Sequence, residues 1–305
     1  MAGERRTLAW LILAFAILFS GAACGSNAST NSAASSTTAI PVVAAENFYG
    51  NIVQQLGGKR VTVTSILSDP NVDPHEYESS VRNAEAVADA RLVIANGGGY
   101  DDWMDKLLSA SPSSSRIVLK GFDLAPHKLP DNEHVWYSID DIESIARVIT
   151  GSLTRLDPGH TADFERNLRT FTRSLKPIQQ KMGAIKARYA GTPIGLTETI
   201  YLYQAVPMGL NVLTPADFQK AIAEGNDPPA DSVIAAQDQI TRRQIKVLIY
   251  NEQTITPVTT KLQNAARAQH IPIMPVTETM PSGKTYQQWM LDQLNTLEQS
   301  LAQSK

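Results

Sequence analysis

The segment TADFERNLRTFTRSLKPIQQKMGAIKARY, residues 161–189, decides how this chain folds, because no strand pattern interrupts it. Its apolar residues recur every three or four positions, which predicts a long helix with one buried stripe made of Phe164, Leu168, Phe171, Leu175, Ile178 and Met182. Pro177 lies inside the segment, so we expect a kink or a break there. The alternative is two shorter helices, with Pro177 opening the second.

Strand and helix patterns alternate on both sides of that segment, which is typical of α/β proteins with mostly parallel sheets. The predicted strands are short, apolar and β-branched, at 41–45, 61–67, 92–95, 117–119, 194–197, 245–250 and 271–274. The other predicted helices are 83–90, 103–109, 142–156, 257–269 and 286–302. We therefore predict two α/β lobes, at 40–157 and 191–305, joined by one long connecting helix at 158–190.

The composition excludes several classes of protein. The chain has 305 residues, of which 43% are hydrophobic and 19% charged, as in ordinary globular proteins. A net charge of -3 and the absence of a dense Lys/Arg run argue against a nucleic-acid partner. A single cysteine excludes a disulfide framework and a thiolate metal cluster. The chain has five histidines, so any metal site that uses imidazole must draw on His75, His127, His134, His160 and His270.

The N-terminal residues predict export and anchoring. Residues 1–23 combine early arginines, an apolar run too short to span a bilayer comfortably, and small residues directly before Cys24. This arrangement resembles a bacterial lipoprotein processing site, which implies a lipid on Cys24 and an extracytoplasmic, membrane-anchored protein. The alternative is an ordinary signal peptide that ends near a cysteine. Residues 24–39, rich in Ser, Ala, Thr and Asn, are expected to carry the anchor and a flexible tether.

Four polar segments are candidates for a binding site: 68–78, 131–136, 196–200 and 276–280. Three of them follow predicted strands, and parallel α/β sheets bind ligands beyond the carboxyl ends of their strands. Two imidazoles and two carboxylates from these segments would suit a divalent cation. Turn formation and helix capping explain the same residues equally well, so position and residue type alone leave a metal site undecided.

Three stretches resemble a known family more specifically. DPHEYE at 73–78 is similar to the first histidine signature of the zinc- and manganese-type solute-binding proteins of bacterial ABC importers. EHVW at 133–136 resembles their second histidine motif, and ARLVIANGGGYDDWM at 90–104 resembles their strand, Asn-Gly turn and helix. The resemblance runs in order from about residue 40 to the C-terminus, and it covers the long helix.

This resemblance implies that four side chains bind one metal ion in the cleft between the lobes, and position by position they are His75, His134, Glu198 and Glu278. Many zinc-type members have His at the third position and many manganese-type members have Glu, while the fourth is most often Asp. Many zinc importers carry a long loop rich in His and acidic residues before the second motif. The corresponding stretch here, residues 123–130, is short and contains one histidine. The expected cargo is therefore Mn²⁺ (or Fe²⁺), with Zn²⁺ as the rival. The implied partners are an ABC permease and its ATPase, with the protein itself a monomer.

Two other functions stay open at this point. A secreted metal-dependent hydrolase could use His75, His134 and one of the two glutamates as ligands and the other glutamate as base, although the His-Glu-x-x-His helix of many such enzymes is absent. A surface adhesin lipoprotein is compatible with the tether. We expect that the protein is not an enzyme. Residues 97–99 are expected to form a tight turn between a strand and a helix, and not a phosphate-binding loop. His127, His160 and His270 are expected at the surface, and Trp103, Trp136 and Trp289 are expected to pack in the core.

Overall fold

The computed structural model describes residues 39–69, 72, 77 and 80–303. The predicted signal peptide, Cys24, the predicted tether up to residue 38, and His75 lie outside these residues. Within the described part, no helix is both long and apolar enough to cross a membrane.

The first sheet is formed by four parallel strands: β1 (Ile40–Glu46), β2 (Val61–Leu67), β3 (Leu92–Ala95) and β4 (Ile117–Lys120), in the order β2-β1-β3-β4. Every residue of β3 is buried, as expected for a continuous apolar run covered on both faces. The accompanying helices are α1 (Asn47–Gly57), α2 (Val81–Asp89), α3 (Asp102–Ala110), α4 (Gly121–Leu124) and α5 (Ile139–Leu156).

The second sheet repeats this arrangement with β5 (Pro193–Leu196), β6 (Asn211–Val212), β7 (Leu248–Asn251) and β8 (Ile273–Val276), in the order β6-β5-β7-β8 and again parallel. Its helices are α7 (Leu202–Ala205), α8 (Ala216–Ala223), α9 (Ala230–Thr241), α10 (Pro257–Ala268) and α11 (Tyr286–Gln303). The two-residue β6 was not predicted, because so short a pairing leaves no pattern in the sequence. Strands β7 and β8 begin two or three residues later than predicted.

One helix joins the two sheets. Helix α6 runs from Thr161 to Tyr189 without interruption, so of the expected kink or break at Pro177 the break is wrong, and so is the two-helix alternative. Proline removes one hydrogen-bond donor from a helix. The neighbouring turns are held by a buried stripe that packs on α1, α5 and α11. The predicted fold class, two parallel α/β lobes joined by one long helix, is confirmed.

Hydrogen bonds tie the carboxyl edges of the two lobes together. The Tyr137 hydroxyl donates to the carbonyl of Thr277 (2.6 Å), and the Tyr286 hydroxyl donates to the carbonyl of Trp136 (2.7 Å). Trp136 is fully buried and stacks on Phe48 with 4.7 Å between ring centroids. The loops that follow the strands of the two lobes are therefore fixed against each other. The expectation that the tryptophans Trp103, Trp136 and Trp289 are packing residues is confirmed.

Candidate metal centre

Three of the four predicted ligands lie together in the structure. One ligand atom each of His134, Glu198 and Glu278 falls within 4.8 Å of the others, and the three residues are 0%, 2% and 1% exposed. His134 directly precedes a 3₁₀ turn (Val135–Tyr137) that leads into α5, whereas the two glutamates follow β5 and β8. The two glutamates thus lie at the carboxyl ends of strands, where parallel sheets bind ligands. His75 lies outside the described residues.

The imidazole of His134 is oriented by its neighbours. Its Nδ1 lies 3.0 Å from Oδ1 of the buried Asn132, and the main-chain N–H of His134 donates to the same oxygen (3.1 Å). The Asn132 amide in turn donates to the carbonyl of Thr199 (2.8 Å) in the second lobe. An amide oxygen can only accept a hydrogen bond, so Nδ1 carries the proton and Nε2 is left with its lone pair. That tautomer is the one a metal-binding histidine needs when a second group orients it.

Glu198 is held by its own loop. Its Oε2 accepts a hydrogen bond from the main-chain N–H of Ile200 (2.9 Å), and its Oε1 has no hydrogen-bond partner among the described residues. Burial raises the pKa of Glu198 well above its ordinary value, and the nearby charge of Glu278 raises it further. The Ile200 amide acts in the opposite direction. A cation bound here would offset the cost of burying this carboxylate.

Glu278 is held by the end of β7 and the loop that follows it. Its Oε1 accepts hydrogen bonds from the side chains of Asn251 and Thr254, the latter at 3.1 Å. Its main-chain N–H donates to Oε1 of Gln253 (2.7 Å). The Gln253 amide also donates to the carbonyl of Val72 (2.9 Å), in the segment of the first lobe that carries the remaining predicted ligand. The β7 loop therefore fixes Glu278 and connects it to both lobes.

The predicted turn at 97–99 supports the histidine loop. All three of its glycines have positive φ (72°, 68° and 91°), a conformation that favours glycine. The carboxylate of Asp101 closes the turn by accepting from the main-chain N–H groups of Asn96 (2.6 Å) and Gly97 (2.7 Å). The Asn96 side chain then donates to the carbonyl of Glu133 (2.9 Å), the residue before His134. The turn thus positions one of the predicted ligands.

Two further buried titratable side chains, Glu46 and Tyr100, belong to the first lobe near the site. Glu46 ends β1 and is fully buried; burial, followed by the charge of Asp101, raises the pKa of Glu46 well above its ordinary value. Tyr100 is 2% exposed, with its ring centroid 6.0 Å from that of His134. Burial and the charge of Glu278 raise the pKa of Tyr100, so its phenol keeps its proton and can donate a hydrogen bond.

The other histidines lie elsewhere. The side chain of His127 is 70% exposed, with Nδ1 3.0 Å from Oδ1 of Asp141, and His270 is exposed. These two surface predictions are confirmed. His160 is half-buried instead of lying at the surface, and its Nδ1 is 2.6 Å from the carboxylate of Asp157, just before α6.

The residues that orient the cluster were not predicted, namely Asn132, Asn251, Gln253 and Thr254. Asn251 ends β7, and Gln253 and Thr254 lie in the loop directly after it, so the rule that ligands lie beyond the carboxyl ends of strands could have found them. Asn132 lies two residues before His134 in a segment that the sequence did single out.

A family model described as "Zinc-uptake complex component A periplasmic" (ZnuA) matches residues 42–300. The chain is 24% identical over 144 residues to the manganese-binding lipoprotein MntA of Halalkalibacterium halodurans, covering 46% of this chain and 48% of that protein. It is 27% identical over 187 residues to the manganese ABC transporter substrate-binding lipoprotein PsaA of Streptococcus pneumoniae, covering 56% and 58%. The matches thus span about half to three-fifths of the length of these curated relatives.

The fold has close counterparts among solved structures. The periplasmic zinc-binding protein TroA from Treponema pallidum superposes with a TM-score of 0.74 at 17% identity, covering 87% of this chain and 99% of that one. At this identity the likeness concerns the fold, and it extends over both lobes and the connecting helix.

Proposed function

The chain belongs to the ZnuA family of periplasmic zinc-uptake components, and from this membership we propose that it captures one divalent transition-metal ion and delivers it to an ABC importer. The observation that carries the proposal is the buried cluster of His134, Glu198 and Glu278, in which donors from both lobes converge. One imidazole and two carboxylates, each oriented by further hydrogen bonds, form the kind of donor set that binds such ions.

We include His75 as the fourth ligand. It follows β2, whose carboxyl end lies at the same edge of the first sheet as β1 and β3, and Gln253 connects Val72 of this segment to Glu278. Four protein ligands would fill the shell of a captured ion, whereas a catalytic metal keeps a position open for water or substrate. This difference favours capture over a secreted hydrolase. An adhesive role would be additional to capture.

The proposed cargo is Mn²⁺ or Fe²⁺, with Zn²⁺ as the rival. Two carboxylates can each bind through one or two oxygens, which suits the oxygen-rich, higher-coordinate shell that manganese accepts. Zinc settles readily into four-coordinate geometry, yet it binds such donors more tightly in solution. Affinity therefore does not identify the physiological metal, whereas uptake does.

We further propose that Cys24 carries a lipid that anchors the protein outside the cytoplasm. The support is the export signal before Cys24 and the relatives named as lipoproteins. The proposed partners are an ABC permease and its ATPase, as the name of one relative, an ABC transporter substrate-binding lipoprotein, indicates.

The proposal is tested by metal uptake in a strain that lacks the gene. The strain should accumulate less manganese, or less zinc, under starvation for that metal, and the wild-type chain should restore uptake. The His134→Ala variant should not restore it, whereas the matched His127→Ala variant should. Full restoration by His134→Ala would contradict the proposed site, and normal uptake in the strain without the gene would contradict the proposed function.

A further inference from the structure

Glu133 differs from the three clustered residues in its exposure. Its side chain is 17% exposed, although the adjacent His134 is fully buried. The Oε1 atom of Glu133 lies 3.9 Å from Nε2 of His134, the nitrogen that keeps its lone pair for a cation. Glu133 nevertheless lies outside the group whose ligand atoms fall within 4.8 Å of one another. It is therefore beside the site, on the solvent side, without being part of its interior.

A pocket leads to Glu133 from the surface. It has a volume of about 290 Å³ and is lined by Gly98, Gly99, Glu133, Ala223 and Glu224. The glycines belong to the turn after β3 in the first lobe, and the last two residues lie at the end of α8 in the second. The pocket thus opens between the lobes at the point where the carboxylate of Glu133 approaches the buried histidine.

The position of the Glu133 main chain is fixed independently of its carboxylate. Its carbonyl accepts a hydrogen bond from the Asn96 side chain (2.9 Å), and Asn96 is itself held by the hydroxyl of Tyr49 (2.9 Å). A change at the Glu133 carboxylate should therefore leave the loop and His134 in place.

A divalent cation reaching the cluster must lose most of its water before it contacts donors that are at most 2% exposed. We propose that Glu133 is the entry carboxylate of the site: it binds the partly hydrated cation in the pocket and passes it to Nε2 of His134. The same contact operates in reverse on release. This inference rests on the proposed function, since it concerns the path by which the captured ion enters.

A specific kinetic pattern follows from this role. A group that contacts the ion during passage, but not in the final shell, speeds entry and exit together and hardly changes the equilibrium. An ordinary ligand would instead mainly slow release, so its loss would raise the dissociation rate. A charge that only attracts cations from a distance would change the association rate with salt, whichever acid supplied it.

The test compares wild type with Glu133→Gln, Glu133→Asp and the matched control Glu224→Gln, which neutralises the acid on the opposite wall of the same pocket. Association of ZnCl₂ and of MnCl₂ is followed by stopped-flow tryptophan fluorescence, since the Trp136 ring lies 5.1 Å from His134. Release is followed by mixing loaded protein with excess chelator. Melting curves of the metal-free variants establish that each is folded.

For Glu133→Gln we expect the association and dissociation rates to fall together by about tenfold, with the dissociation constant changed less than threefold. Glu133→Asp should recover most of the rate, and Glu224→Gln should change it less than twofold. An unchanged association rate, a faster release, or an equal slowing in Glu224→Gln would overturn the inference. If wild type binds metal and His134→Ala does not, such a result removes only the entry role; if wild type binds no metal, the proposed function fails first.

Discussion

The second lobe contains the same tripeptide, Thr-Glu-Thr, at 197–199 and at 277–279, each directly after a strand. Both central glutamates are buried, yet they are held differently. Glu198 is held chiefly within its own loop by a main-chain amide, that of Ile200, with a smaller contribution from the Asn251 side chain. Glu278 is held by the side chains of Asn251, the last residue of β7, and Thr254, which lies in the loop after that strand.

This difference separates two ways of placing a carboxylate. A main-chain donor two residues away comes with the local turn, and among substitutions only proline removes it. Side-chain donors from another loop depend on how two strands are packed side by side. Identical sequence therefore gives two carboxylates whose orientation responds differently to mutation, although both face the same proposed ion.

The largest expected effect tests whether both segments supply a ligand. At about a thousand times the dissociation constant, metal should stabilise the wild-type fold by roughly 4 kcal/mol. Glu198→Ala and Glu278→Ala should each lose most of this stabilisation, because each removes a carboxylate from the shell. Denaturant unfolding with and without Zn²⁺ measures it. A variant that keeps the full stabilisation would show that only one of the two segments binds the ion.

The next effect tests the difference in support. Thr254→Val removes a hydroxyl that donates to Glu278, and loss of such an orienting group typically costs 10- to 100-fold in metal affinity. Thr199→Val is the comparison on the other side: its hydroxyl lies 3.5 Å from Oε2 of Glu198 and 3.4 Å from Nδ1 of His134, both weak contacts, so affinity should change by about threefold or less. Titration against a competing chelator measures both. Equal losses would mean that the two glutamates are held alike.

The sequence predicted the fold and the clustered ligands, but not the side chains that orient those ligands by hydrogen bonds. The lobes and the connecting helix followed from apolar periodicity, and His134, Glu198 and Glu278 were assigned through the resemblance to the motifs of a known family. The bonds from Asn251 and Gln253 to residues 277–279 join positions about 25 apart, and only the pairing of β7 with β8 brings them together. The continuity of α6 through Pro177 was likewise decided by packing on neighbouring helices. The placement of His75 stays a prediction.

A smaller effect concerns metal preference. Glu198→His replaces a carboxylate that can bind through two oxygens by a single nitrogen donor, so the site should favour zinc. We expect the ratio of zinc to manganese affinity to rise roughly tenfold, or about 1.4 kcal/mol. The same substitution at Glu278 is the matched comparison. Competitive titration with both ions gives the ratios, and a ratio that does not rise would contradict the proposed role of Glu198.

The smallest effect concerns pH in the metal-free protein. The pKa of Glu198 is raised in the fold, so its favourable contribution to stability is present below about pH 4.5 and is lost as pH rises through the raised pKa. Glu198→Gln cannot ionise, and it should therefore be more stable than wild type at neutral pH but not in acid. Unfolding curves across pH measure this difference. Equal pH profiles for the two proteins would contradict the assigned cause.

The central claim, that one ion is bound per chain by ligands from both lobes, is tested most directly by metal content. The protein purified without chelator, then loaded with one metal and desalted, is analysed by inductively coupled plasma mass spectrometry. We predict one ion per chain for wild type and for His127→Ala, and close to none for His75→Ala and for His134→Ala. Retention of a full equivalent of metal by His134→Ala would contradict the claim.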